Sequence, residues 1–185
     1  ADKPDSQVIL PGDLLHIDFG ITYLRLNTDT QQLAYVLKPE EHSVPKYLND
    51  ALKVGNRLQD ILTSNFVTGR TGNEILKATR SMMEKEGIEG SIYSHPMGYH
   101  GHASGPTIGM WDNQGDTPGA GDYPLYPNTA YAIELNAVVF VEEWNKEVRV
   151  MLEEGAFFDG KKVIYLDGRQ KEIMSIPRER KYLNN

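Results

Sequence analysis

An α+β fold is what this chain predicts, on three observations. Its N-terminal region alternates apolar and polar residues as a strand hairpin does, and two amphipathic helical segments follow. A second, strongly apolar hairpin then comes after a long stretch rich in Gly, Pro, His and Tyr. No repeat, low-complexity segment or internal boundary interrupts this order, so residues 1–185 read as one domain.

Ile17, Phe19 and Ile21 alternate with His16, Asp18 and Gly20, the period-2 signature of a half-buried strand. Asn27 and Asp29 suit a turn, and Gln31 to Leu37 is the expected return strand. Over residues 46–66, Leu48, Ala51, Leu52, Leu58, Ile61, Leu62 and Phe66 keep the i, i+3, i+4 spacing of a helix with one apolar face. Thr71-Gly72-Asn73-Glu74 is a capping-box pattern that starts a second helix, and Gly87 is placed to close it. Residues 91–128 show little periodicity; an irregular stretch of that length in a compact domain is usually functional or disordered, and its aromatic and histidine content favours functional. Thr129 to Val141 and Val148 to Phe158 then pair as strands across Trp144-Asn145-Lys146. Residues 162–176 read as one more hairpin around Asp167-Gly168.

Composition narrows the function. With 39% apolar and 24% charged residues the chain can bury a core. A formal net charge of −7 argues against a phosphate-tracking nucleic-acid surface, which needs clustered Lys and Arg. No apolar run approaches the roughly 20 residues of a membrane span. The absence of cysteine excludes disulfide staples, thiolate zinc sites and a cysteine nucleophile. Localisation stays open, with the cytoplasm marginally favoured.

The chemistry lies in carboxylates on strands. Asp18 sits in Ile17-Asp18-Phe19-Gly20 and Asp29 in Thr28-Asp29-Thr30. Glu134 interrupts the apolar run Ile133-Glu134-Leu135, where an unpaired carboxylate costs several kcal/mol. A salt bridge to Arg149 is the bland explanation for Glu134, and Glu153 with Glu154 could be a surface pair. His102 stands in the glycine-rich Gly101-His102-Ala103-Ser104-Gly105. Taken together, four acidic groups and one imidazole make a ligand set for one or two divalent metals.

In this order the motifs resemble those of the pita-bread metallopeptidases, the family of methionine aminopeptidase, aminopeptidase P and prolidase. Gly12-Asp13 with Ile17-Asp18-Phe19-Gly20, then Thr28-Asp29, then Gly101-His102-Ala103-Ser104-Gly105, then Ile133-Glu134, then Arg149 followed by Leu152-Glu153-Glu154 fall in the family's sequence. The resemblance implies a pita-bread catalytic domain with Asp18 chelating one ion. Asp29 and Glu153 would bridge both ions, and His102 and Glu134 would complete the other. It implies two divalent cations (manganese, cobalt or zinc) and hydrolysis of N-terminal or dipeptide bonds, Xaa-Pro bonds preferred, by a water that the ions share. Glu134 would shuttle the proton, while Tyr99 and Trp111, with Tyr93, would shape the pocket for the peptide.

Departures from the family pattern carry expectations too. The family has a second histidine seven residues after its ligand histidine; counted from His102 that place is Gly109. His100 is then the catalytic substitute, with His95 the other choice. The final Arg-to-Glu interval is two residues longer than in the family, which leaves Glu153 and Glu154 both open as ligand. The strands and helices that the family carries ahead of the first hairpin are not in this sequence. The chain therefore reads as a C-terminal catalytic fragment, which a second copy could complete as a homodimer. The alternative function is a lapsed domain that binds a protein or peptide.

Overall fold

A computed structural model describes residues 8–177. One antiparallel sheet dominates it, with strands β1 (Leu14–Phe19), β4 (Thr30–Val36), β8 (Lys146–Phe158), β7 (Thr129–Val141) and β5 (Glu89–Ile92) side by side in that order. β7 and β8 pair over their full lengths, from Thr129 opposite Phe158 to Val141 opposite Lys146. Helix α1 (Lys46–Ser64) lies on these two strands, and α2 (Gly72–Glu86) packs on α1. The apolar stripe of α1 drives this packing, burying Leu48, Leu52, Leu58 and Leu62 with Ile133, Leu135, Val150 and Leu152. Gly55 marks the closest approach: a Cβ there would stand 2.8 Å from Leu152 and 2.9 Å from Val150. No helix among the described residues is long and apolar enough to cross a membrane.

The cap of α2 forms as the sequence pattern requires. The Thr71 hydroxyl accepts the Glu74 N–H, the Glu74 carboxylate accepts the Thr71 N–H, and Gly87 closes the helix in the left-handed region at φ 65°.

Three expectations are corrected. The first hairpin does not turn at Asn27 and Asp29. A smaller hairpin of β2 (Thr22–Tyr23) and β3 (Leu26–Asn27) is inserted, turning at Leu24 and Arg25, both with positive φ. The residues after Ile92 are not wholly irregular, because β6 (His95–Pro96) pairs with β7. A two-residue strand of His and Pro has no periodicity to read; its pairing is imposed by the long neighbour. Finally, residues 162–176 are not a hairpin. β9 (Val163–Tyr165) joins β8, while β10 (Met174–Ile176) runs parallel to β4. Between them Gln170 bonds both the N–H and the C=O of Leu33, at 2.8 and 2.7 Å, filling the gap where β4 and β8 diverge.

The predicted burial of the first strand also fails. Ile17, Phe19 and Ile21 are 53%, 50% and 58% exposed. β1 is the sheet edge, and no element among the described residues covers its outer face.

Candidate metal centre

Strand register builds the site. Asp18 of β1 stands opposite Gln31 of β4, Gln31 opposite Glu153 of β8, and Glu153 opposite Glu134 of β7. Directly paired residues project from the same face of a sheet, so these four side chains form one row across four strands. Asp29 ends the turn just before β4. His95 reaches the row from β6, which is held against β7 by the pairing of His95 with Ala132.

His95 is the imidazole at the centre. It is 2% exposed, and its Nε2 lies 3.7 Å from Glu134 Oε2, 3.7 Å from Glu153 Oε1 and 4.0 Å from Asp29 Oδ2. Its Nδ1 faces the Pro96 carbonyl at 3.2 Å. A carbonyl only accepts, so Nδ1 carries a hydrogen, and Nε2 faces the three carboxyl groups. Nε2 of His95 and Oε1 of Glu153 are both buried without a hydrogen-bond partner.

Electrostatics point the same way. Burial first, then the charges of Glu134 and Asp29, push the Glu153 carboxyl up to about 9, against a hydrogen bond from Gln31 that pulls it down. Burial also raises Asp29, partly offset by His95. Without a cation Glu153 and Asp29 hold their protons more tightly than free carboxyls do. Ligand atoms converge in three overlapping sets, each within 4.8 Å: Asp18, Asp29 and Glu153; His95, Glu134 and Glu153; and Asp29, His95 and His102. Oxygen-rich sets with one or two imidazoles suit divalent cations such as manganese, cobalt or zinc. His95 Nε2 and Glu153 Oε1 are buried ligand atoms that no hydrogen bond engages and that lie in a convergent set, so these residues fit a metal.

The five residues expected as ligands are thus brought together, with His95 in the buried place that the sequence reading gave to His102. His102 stays close, its Nε2 3.8 Å from Asp29 Oδ2 and its ring 4.2 Å from that of His95, but it is 62% exposed. Tyr93 flanks both imidazoles, with its hydroxyl 3.3 Å from His102 Nδ1. The His100 ring stacks edge-on against Tyr99 and joins none of the convergent sets. Tyr99 and Trp111 are exposed, and Asn27 ties the Tyr99 backbone to the Asp29 hairpin by a 2.8 Å bond.

Alternation along β8 separates the two glutamates. Glu153 faces the row, whereas Glu154 points the other way and accepts the Gln170 N–H at 2.7 Å and the Gln32 side-chain amide at 3.3 Å. Arg149 pairs with Val138, four residues up the ladder from Glu134, and no ion pair joins it to Glu134 among the described residues. The sequence signal for His95 was available: seven residues after it comes His102, and Gly98 stands three residues after it. Gln31 was missed, although it shares a strand face with Asp29.

The family model for metallopeptidase family M24 matches residues 1–159. Among solved structures, the chain is similar to an X-Pro aminopeptidase from Thermotoga maritima at 19% identity and a TM-score of 0.65, covering 92% of this chain and 44% of that one. A prolidase from Thermococcus sibiricus gives 19% and 0.63, covering 95% and 43%. A methionine aminopeptidase from Rickettsia prowazekii gives 16% and 0.61, covering 88% and 67%. The chain thus spans less than half the length of the first two. No curated protein matches it.

Proposed function

The chain belongs to metallopeptidase family M24, and on that premise we propose a dinuclear metal-dependent peptidase that cleaves N-terminal or dipeptide bonds, with Xaa-Pro peptides as substrates. The observation that carries this reading is the row of acidic side chains on one sheet face, converging on a buried imidazole with two orphaned ligand atoms.

Asp18 would hold one ion, His95 and Glu134 the other, with Asp29 and Glu153 shared, because these are the two residues that converge both with Asp18 and with His95. Bound divalent ions would acidify a water and polarise the scissile carbonyl. Glu134 takes up the water's proton on its carboxylate and returns it to the leaving amine. His102, half out of the cluster beside Asp29, is placed to donate a hydrogen bond to the carbonyl oxygen as charge develops on it. Counted from His95, His102 stands seven residues on, in the place of the family's second histidine. That position supports the peptidase reading over a lapsed binding module.

The test is metal titration followed by a panel of dipeptides and tripeptides with and without proline in second position. Two ions per chain, cleavage confined to proline-containing peptides, and a fall in turnover of about 10²–10⁴ for Glu134→Gln are expected. Failure to take up metal overturns the peptidase reading. Equal cleavage of peptides without proline overturns the Xaa-Pro assignment alone.

A further inference from the structure

Gln31 is buried in the middle of the acidic row, at 4% exposed, yet it is not a natural ligand for a divalent ion among carboxylates. Its side-chain amide is fully engaged. Nε2 donates one hydrogen to Glu134 Oε1 at 2.9 Å and the other to Glu153 Oε2 at 3.2 Å. Its Oε1 stands 2.9 Å from His16 Nε2. The amide nitrogen faces the two carboxyl groups and the amide oxygen faces His16. His16 is therefore the donor, through Nε2–H.

We infer that Gln31, oriented by His16, is a positioning residue that clamps Glu134 and Glu153 in the rotamers that present their other oxygens to metal; this rests on the metallopeptidase reading above. Each carboxylate has one oxygen tied to Gln31. The other, Glu134 Oε2 or Glu153 Oε1, is turned towards His95 Nε2. The clamp is neutral, which is its advantage. An ammonium or guanidinium there would satisfy the same oxygens but repel the incoming cations at close range, whereas amide hydrogens orient the ligands without that cost.

A local sequence difference accompanies the clamp. The family pattern that this chain resembles puts an arginine two residues before the last ligand glutamate. Here that position is Met151, and Arg149 is carried two residues further up β8, opposite Val138. No guanidinium reaches Glu134 or Glu153 among the described ion pairs, and the hydrogen bonds to these carboxylates come from Gln31 instead.

The experiment uses the whole chain with Gln31→Leu, His16→Phe and His16→Gln. Calorimetric titration with Mn²⁺ gives affinity and stoichiometry, and the visible spectrum of the Co²⁺ form reports ligand geometry. Gln31→Leu is expected to weaken uptake of at least one ion by roughly 10- to 100-fold and to shift the Co²⁺ spectrum. His16→Phe should do the same to a smaller degree, and His16→Gln, which keeps a donor at that end, should restore both. Wild-type affinity and spectrum in Gln31→Leu and His16→Phe would overturn the clamp, even if their melting temperatures fall, since that is the signature of packing alone. If Gln31→Leu does not fold, the His16 pair decides the matter by itself. A wild-type chain that binds no ion sinks the peptidase reading and the clamp together, whereas normal wild-type binding with unaffected variants sinks only the clamp.

Discussion

Glu153 and Glu154 are adjacent, chemically identical and both buried, yet the structure gives them opposite surroundings. The difference is one step of strand alternation. Glu153 meets Glu134 and His95, and Glu154 meets the Gln170 backbone. Sequence alone could not choose between them, because the choice depends on which face of β8 looks at β7's carboxylate. The same holds for His95: its motif was visible, but its burial comes from pairing with β7. The two glutamates should therefore separate in experiment. Glu154→Gln is expected to cost about 1–3 kcal/mol of stability by disturbing a buried acceptor, while leaving metal uptake unchanged. Glu153→Gln should abolish uptake of at least one ion, read by calorimetric titration. Its effect on the metal-free protein has the opposite sign. The ordinary carboxyl value is 4.5 and the folded one is raised to about 9. The folded state thus prefers the proton, so this contribution to stability is complete below 4.5 and is lost as pH rises through 9. The melting temperature of the metal-free chain should fall between pH 5 and pH 9, and Glu153→Gln should flatten that slope. Saturating metal should reverse it, with proton release on binding seen as buffer-dependent heat.

At the scale of elements, legibility followed how local each structure is. The second helix was readable end to end because its start and stop are side-chain events within four residues: the Thr71–Glu74 box and the left-handed Gly87. Thr71→Ala should remove one cap hydrogen bond and cost about 1 kcal/mol, which for a chain of this size lowers the melting temperature by about 2–4 °C. Metal affinity should not move, since the cap lies outside the acidic row; a change in it would mean that α2 governs the site. β5 and β6 illustrate the contrary case. Glu89-Gly90-Ser91-Ile92 and His95-Pro96 have little intrinsic strand preference, and they are strands because β7 offers a free edge. Gly90 shows how close that pairing is, for a Cβ there would come within 2.0 Å of the Asn136 carbonyl oxygen. The terminal segment misled for the same reason. Asp167-Gly168 is a real turn, with Gly168 at φ 79°, but nothing local tells β10 to leave β9 and run beside β4.

For the molecule as a whole, two groups of apolar residues have different physical fates. One is the sealed core between the sheet and α1, which includes Tyr131, Leu135, Leu152 and Phe158. The other is the outer face of β1 and its extension, where Ile17, Phe19, Ile21, Tyr23, Leu24 and Leu26 remain in water. Alternation along the first strand correctly separated Asp18 from Ile17 and Phe19, but periodicity reports only that two faces differ, not what covers the apolar one. An edge strand with a contiguous apolar face is adhesive, through both its hydrophobic surface and its unpaired backbone groups. The chain in solution should therefore enhance the fluorescence of a hydrophobic dye such as ANS and show a hydrodynamic radius that grows with protein concentration. Ile17→Lys with Phe19→Lys puts charge on that face and is expected to suppress both effects, while shifting stability by no more than about 0.5 kcal/mol per substitution, the usual range for exposed positions. Metal affinity provides the internal control. Asp18 lies between the two substituted residues but projects from the opposite face, so a double variant that stays monomeric and still binds metal would show that the two faces of β1 act independently. Loss of metal together with loss of association would instead mean that the outer face supports the acidic row.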